Sequence, residues 1–178
     1  LGLVATKDPK QIEFALKKFI PPKKGRKHIL LIIREILNFK PEDKGTDIDA
    51  ALLYLNNVVK KRCTAFLLSD FIDGHDYRST MSIANRKHDL AAIQVYDRRD
   101  AKLPDVGLMH LRDIETGQVC WVDTSSSKVR KLYEKEWYQR QQRLAENVAR
   151  CGVDLVSIAT NDDYVKSLLA LFRKRAVH

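Results

Sequence analysis

The sequence is short of the residues that mark secreted, membrane or metal-ribbon proteins. It holds three cysteines, Cys63, Cys120 and Cys151, far apart and with no Cys-x-x-Cys pair. An odd, scattered count excludes a disulfide framework and a cysteine-rich structural zinc site, and it points to a reducing compartment. Each cysteine lies in or beside an apolar run, so small buried thiols are expected. Long apolar runs are also lacking. None approaches the roughly 18 residues that a membrane-spanning helix needs, and no basic-then-apolar segment opens the chain. A cytoplasmic location and no membrane span are therefore expected. The motifs of common enzymes are missing as well: there is no Gly-rich phosphate loop, no Gly-x-Ser-x-Gly and no His-Glu-x-x-His. Repeats, low-complexity stretches and a linker long enough to divide domains are not found, so 1–178 reads as a single domain.

What is present is basic and apolar. The net charge is +9 and 44% of the 178 residues are hydrophobic, enough for one packed core. Basic runs stand at Lys23-Lys24-Gly25-Arg26-Lys27, Lys60-Lys61-Arg62 and Arg173-Lys174-Arg175. They attract phosphates or acidic partners, or simply end helices, where cations suit the dipole. The chain opens inside an apolar run, Leu1–Ala5, so upstream residues are expected to be missing.

Leu1–Ala5 and Ile12–Ile20 read as strands joined across a turn at Asp8-Pro9, the second closed by Pro21-Pro22. Helical spacing runs from His28 to Asn38 and stops at Pro41. Apolar residues at 48, 51, 52, 55, 58 and 59 form the clearest helical stripe, with Thr46 as its expected cap and Asp49 as the reciprocal partner. Cys63–Leu68 is a continuous apolar run that suits a central strand covered on both faces. A short helix at Tyr77–Lys87 and a buried strand at Leu90–Tyr96 follow. Val106–Arg112 and Gln118–Asp123 form a hairpin insertion, then Ser127–Arg150 a long charged helix, Asp154–Ala159 a strand and Asp163–Lys174 a last helix. Buried strands alternating with amphipathic helices predict an α/β fold. It should be three-layer, with a mostly parallel sheet and helices on both faces. In such sheets ligands sit at the carboxyl ends of strands, which singles out Asp70, Asp97 and Thr160.

Two segments carry a resemblance. Gly45-Thr46-Asp47-Ile48-Asp49-Ala50-Ala51-Leu52 resembles the GT-x-x-x-x-AL segment of von Willebrand factor A-type domains. Phe66-Leu67-Leu68-Ser69-Asp70-Phe71 resembles their later strand that ends in aspartate. The metal-ion-dependent adhesion site of that family uses three loops: Asp-x-Ser-x-Ser, a threonine and an aspartate. The resemblance places Thr46 and Asp70 in the second and third; Asp73, three residues on, reads as a surface turn residue, with a place behind the ligands as the alternative. The first loop should lie upstream of Leu1, so the domain is expected to be truncated at its N-terminus and its site incomplete. The whole chain is also similar to bacterial domain-of-unknown-function proteins encoded beside MoxR-type AAA ATPases. That similarity is carried by Phe19-Ile-Pro-Pro-Lys-Lys-Gly25, Leu67-Leu-Ser-Asp-Phe-Ile72, His88–Asp97, Leu103–Gly107 and Asp113–Gly117. It implies a non-catalytic accessory or adaptor of such an ATPase. It also implies Mg2+ or Mn2+ in the intact domain and no bound metal in a truncated one. Magnesium takes oxygen ligands and keeps waters readily, so an open position could accept a partner's carboxylate.

Two alternatives stay open. A basic nucleic-acid-binding domain would use the lysine and arginine runs, though aromatic and basic residues are not interleaved as stacking platforms require. A divalent-metal phosphoesterase would use Asp70, Asp73 and His75, but no nucleophile with a base beside it is visible. Asp123-Thr124-Ser125-Ser126-Ser127 matches Asp-x-Ser-x-Ser literally. Its position before the long helix suits a helix start capped by Ser126 or Ser127 better.

Overall fold

The computed structural model describes residues 20, 24–38, 46–112 and 118–176. The expected strands at 1–5 and 12–20 (Ile20 excepted), the turn at Asp8-Pro9 and the stop at Pro41 lie outside them. Within the described residues the chain is α/β, with five helices, a mostly parallel three-stranded sheet and a separate hairpin. The helices are α1 (Arg26–Asn38), α2 (Ile48–Val58), α3 (Arg78–Lys87), α4 (Ser127–Arg150) and α5 (Tyr164–Ala176). The strands are β1 (Thr64–Ser69), β2 (Asp89–Tyr96), β3 (Leu108–Arg112), β4 (Val119–Asp123) and β5 (Asp154–Ala159). The expected elements thus recur within a few residues of their sequence bounds.

Two compact units divide the described residues: one holds those up to Ala65 with Ile72–Asp89, the other Phe66–Phe71 with those from Leu90 onward. In the first, α2 packs on α3. The stripe Ile48, Ala51, Leu52 and Leu55 is buried, as are Met81 and Ala84 of α3. These residues recur every three or four positions, so each helix turns one apolar side inward. α1 begins after Gly25, whose φ of 112° a side chain would resist. Its spacing is that of an amphipathic helix, yet none of its residues is buried.

In the second unit the sheet order is β1-β2-β5, with β2 and β5 parallel and Ala91 opposite Asp154 through Tyr96 opposite Ala159. Leu90–Gln94 of β2 is buried without a break, as expected of a strand covered on both faces. α4 and α5 both pack on β5, and Leu144, Val148, Ile158 and Leu171 are buried in this core.

β1 corrects the sequence-based expectation. Among the described strands it lies at an edge, not in the centre, and its residues alternate between exposed and half-buried, with Leu68 62% exposed. The apolar run is continuous, but the pleat sends every second side chain to the other face, where little covers it. The cysteines also divide: Cys151 is buried, Cys63 half-buried and Cys120 exposed on the hairpin, so the expectation of three buried thiols fails for two of them.

The basic runs differ in use. Lys60, Lys61 and Arg62 are exposed beyond the end of α2. In the last turn of α5, Lys174 reaches Asp154 at 2.6 Å and Arg175 donates to the Leu90 carbonyl at 3.3 Å, so that run ties the helix to the sheet. Among the described residues no helix is long and apolar enough to cross a membrane.

Candidate functional site

A polar cluster of the first unit is built around the start of α2. The first amides of a helix have no partner within it and must find one outside. Asp47 is the N-cap: its carboxylate accepts the Ala50 amide at 2.8 Å. Asp73, from the loop after β1, accepts the Ile48 amide at 2.7 Å. This overturns the expectation of a Thr46 cap with Asp49 as its reciprocal partner. The Asp49 carboxylate instead accepts the Thr80 hydroxyl of α3 and pins the two helices together. Thr46 is half-buried just ahead of the cap.

Asp73 is also not a surface turn residue. Its side chain is fully covered while His75 beside it is half exposed. Its second oxygen accepts the His75 amide at 2.8 Å and lies 2.8 Å from His75 Nδ1. Asp47, Asp73 and His75 therefore bring three potential metal-ligating atoms within 4.8 Å of one another. Part of the trio's capacity is already in use, however. Both Asp73 oxygens and one of Asp47 serve amides, and the positive end of a helix dipole opposes a cation there. Asp76 is exposed, and hydrogen bonds from the Arg78 side chain and amide hold its carboxyl down at about 2.

Asp70 is not part of this trio. It belongs to the second unit, at the carboxyl end of β1, with its side chain exposed. Its loop is held on both sides. The Ser69 hydroxyl accepts the Phe71 amide at 3.0 Å. The amide nitrogen of Gln94, buried on β2, donates to the Asp70 carbonyl at 3.3 Å, while Ser157 of β5 donates to the Gln94 oxygen at 2.8 Å. Phe71 has φ 59° and is buried; among the described residues it is the only non-glycine in the left-handed region. A bulky side chain held there costs about 1–3 kcal/mol and persists only where the surroundings enforce it.

The other strand ends are structural. Asp97 starts a 3-10 turn at Arg98–Ala101, and the Arg99 amide lowers its carboxyl below the usual range. The Thr160 amide bonds the Tyr96 carbonyl at 2.9 Å. In the literal Asp-x-Ser-x-Ser match, Asp123 accepts both the amide and the hydroxyl of Ser125, and Thr124 is fully buried against Gly107. Ser126 occupies the N-cap of α4, but its hydroxyl makes no capping bond.

Asp47, Gln94 and Phe71 escaped sequence reasoning. Only Asp47 had a signal there, standing directly before the apolar stripe of α2.

Residues 4–143 match the family described as protein of unknown function DUF58. An uncharacterized protein of Mycobacterium avium is 25% identical over 158 residues, covering 88% of this chain and 93% of the relative. Uncharacterized proteins of Mycobacterium bovis and Mycobacterium tuberculosis are 26% identical over 158 residues, covering 88% of this chain but 50% of their own length. The chain thus spans about half the length of these longer relatives. No solved structure matches the chain. The match extends over well more than half of the sequence, and the chain belongs to the DUF58 family.

Proposed function

We propose that the chain is a non-catalytic protein-interaction module of von Willebrand A type. In this reading it is an accessory or adaptor of a MoxR-type AAA ATPase and engages its partner through a divalent cation, Mg2+ or Mn2+. The finer fold, three layers with helices on both faces of the sheet, is part of the same proposal. The observation that carries it is the loop at Ser69–Phe71. An exposed carboxylate ends a strand of a mostly parallel sheet, its carbonyl is held by a buried glutamine, and a left-handed phenylalanine follows. Strain kept beside an exposed carboxylate at a strand end supports a binding role there.

In this reading Thr46 and Asp70 are the residues for the ion, on the resemblance of their two segments to von Willebrand A-type domains. Asp73 is given over to the start of α2, so in this reading it shapes the loop and does not ligate. For the same reason a phosphoesterase built on Asp70, Asp73 and His75 finds no support in that carboxylate. A nucleic-acid surface finds little in Arg173–Arg175, two of whose side chains already have partners.

The test is a Mn2+ titration of the full-length protein followed by electron paramagnetic resonance. Weak binding that disappears in Asp70→Ala is the expected outcome. Binding unchanged in that variant would sink the assignment.

A further inference from the structure

The hairpin of the second unit presents one face that nothing described covers. Its register pairs Leu108 with Asp123, His110 with Trp121 and Arg112 with Val119. Directly paired residues share a face, so these six side chains line one side of the ribbon. All six are exposed; Leu108 and Trp121 are 64% and 65% exposed. The rings of His110 and Trp121 lie 4.7 Å apart at the middle of the face. The other face holds Met109, Leu111 and Val122, half-buried, and Cys120, exposed.

The base of the ribbon is firmly built. The Thr124 amide and hydroxyl both donate to the Gly107 carbonyl, at 2.8 and 2.6 Å. Arg130 of α4 binds the Thr124 and Ser125 carbonyls and Asp105. An exposed aromatic pair on a fixed ribbon loses little conformational entropy on binding, which favours affinity.

We propose that this face docks an extended segment of a protein partner that carries a carboxylate. Apolar residues of the segment seat on Leu108, Val119 and Trp121, and its carboxylate meets Arg112. Three observations select this occupant. The face joins a tryptophan, an arginine and a histidine to two aliphatic side chains with no lysine or glutamate, and tryptophan and arginine are the residues enriched at the energetic centres of protein interfaces. Arg112 is exposed at one end of the face and has no ion pair with any described residue, so a partner's carboxylate can meet it there, while the one acid of the face, Asp123, stands at the opposite end and accepts two bonds from Ser125. The outer edges of β3 and β4 pair with no other described strand, so an extended segment lying along the face also meets open backbone groups at its margins. A nucleic-acid strand would want a row of cations along its phosphates, and this face has a single arginine.

The proposal concerns protein binding, as does the reading above, but it needs no metal. The experiment is therefore run on the full-length protein in EDTA. Fluorescein-labelled ten-residue peptides alternating valine with glutamate, lysine or serine are titrated by fluorescence anisotropy. The glutamate peptide is expected to bind at least about tenfold more tightly than the lysine peptide, a difference near 1.4 kcal/mol. Trp121→Ala should abolish that binding, and Arg112→Glu should invert the preference. Both side chains are exposed, and an unchanged circular dichroism spectrum checks that each variant folds. Equal binding of the glutamate and lysine peptides would overturn the proposal. So would tighter binding of oligo-dT, or self-association through Trp121 with no peptide bound. A negative result here with Mn2+ binding intact at Asp70 would count against the hairpin alone.

Discussion

Removing the Asp73 carboxylate should damage the first unit more than any other single polar change near α2. The carboxylate is fully covered and accepts two backbone amides, Ile48 at 2.7 Å and His75 at 2.8 Å. Ile48 is buried, so water cannot replace the lost acceptor, and the orphaned amide carries its desolvation cost. Hydrogen bonds to a charged group contribute about 1.5–3 kcal/mol each, which puts Asp73→Ala at a loss of about 3–6 kcal/mol. That is a large share of a typical folding free energy of about 5–15 kcal/mol. Two neighbours set the scale. Asp47→Ala removes an ordinary N-cap and should cost about 1 kcal/mol. His75→Ala removes a half-exposed partner and should cost less than about 1 kcal/mol. Urea unfolding of the three variants at neutral pH gives the ranking. Hydrogen exchange at Ile48 and Ala50 reports whether the helix start has opened. A loss from Asp73→Ala no larger than that from His75→Ala would refute this account of the helix start.

Two further outcomes follow from buried polar groups. Gln94→Leu removes the link from Ser157 to the Asp70 carbonyl and should cost about 1–2 kcal/mol, with the Phe71 amide exchanging faster; protection at Phe71 equal to that of the native protein would mean the glutamine does not hold the loop. His88 is fully buried, with Nδ1 3.5 Å from Cys63 Sγ, and burial, then the charge of Lys87, lowers its pKa below the ordinary 6.5. The folded state thus holds His88 neutral while the unfolded chain takes up a proton near its ordinary value. Stability from this group is complete above pH 6.5 and is lost as the pH falls toward the lowered folded value. Melting temperatures measured between pH 8 and 5 should fall on the acid side, and His88→Gln should flatten that fall; equal slopes in the two proteins would reject the assignment.

Local patterns made the elements legible. The stripe through Ile48, Leu52 and Leu55 and the unbroken run of β2 each fix a period or a length within one segment, and both are where the sequence puts them. What stayed hidden depends on partners far along the chain. Gly45-Thr46-Asp47-Ile48-Asp49 offers three residues able to cap a helix, and nothing local ranks them. The choice shows in contacts from elsewhere: Asp73, 25 residues away, takes the Ile48 amide, and Thr80, 31 residues away, takes Asp49. That leaves Asp47 as the side chain reaching the Ala50 amide. β1 is ambiguous for a related reason. Ala65–Leu68 is apolar on both faces of the pleat, so the run reads the same in a central strand and at the edge of the described sheet. Only the sheet order tells that Leu68 is left in the open. The same holds for function. Asp70 stands out by motif, but the residues that give its loop a defined shape, Gln94 and Ser157, sit on two other strands and carry no motif of their own. His110 and Trp121 look like scattered residues in the sequence, and it is the register of the hairpin that makes them one surface.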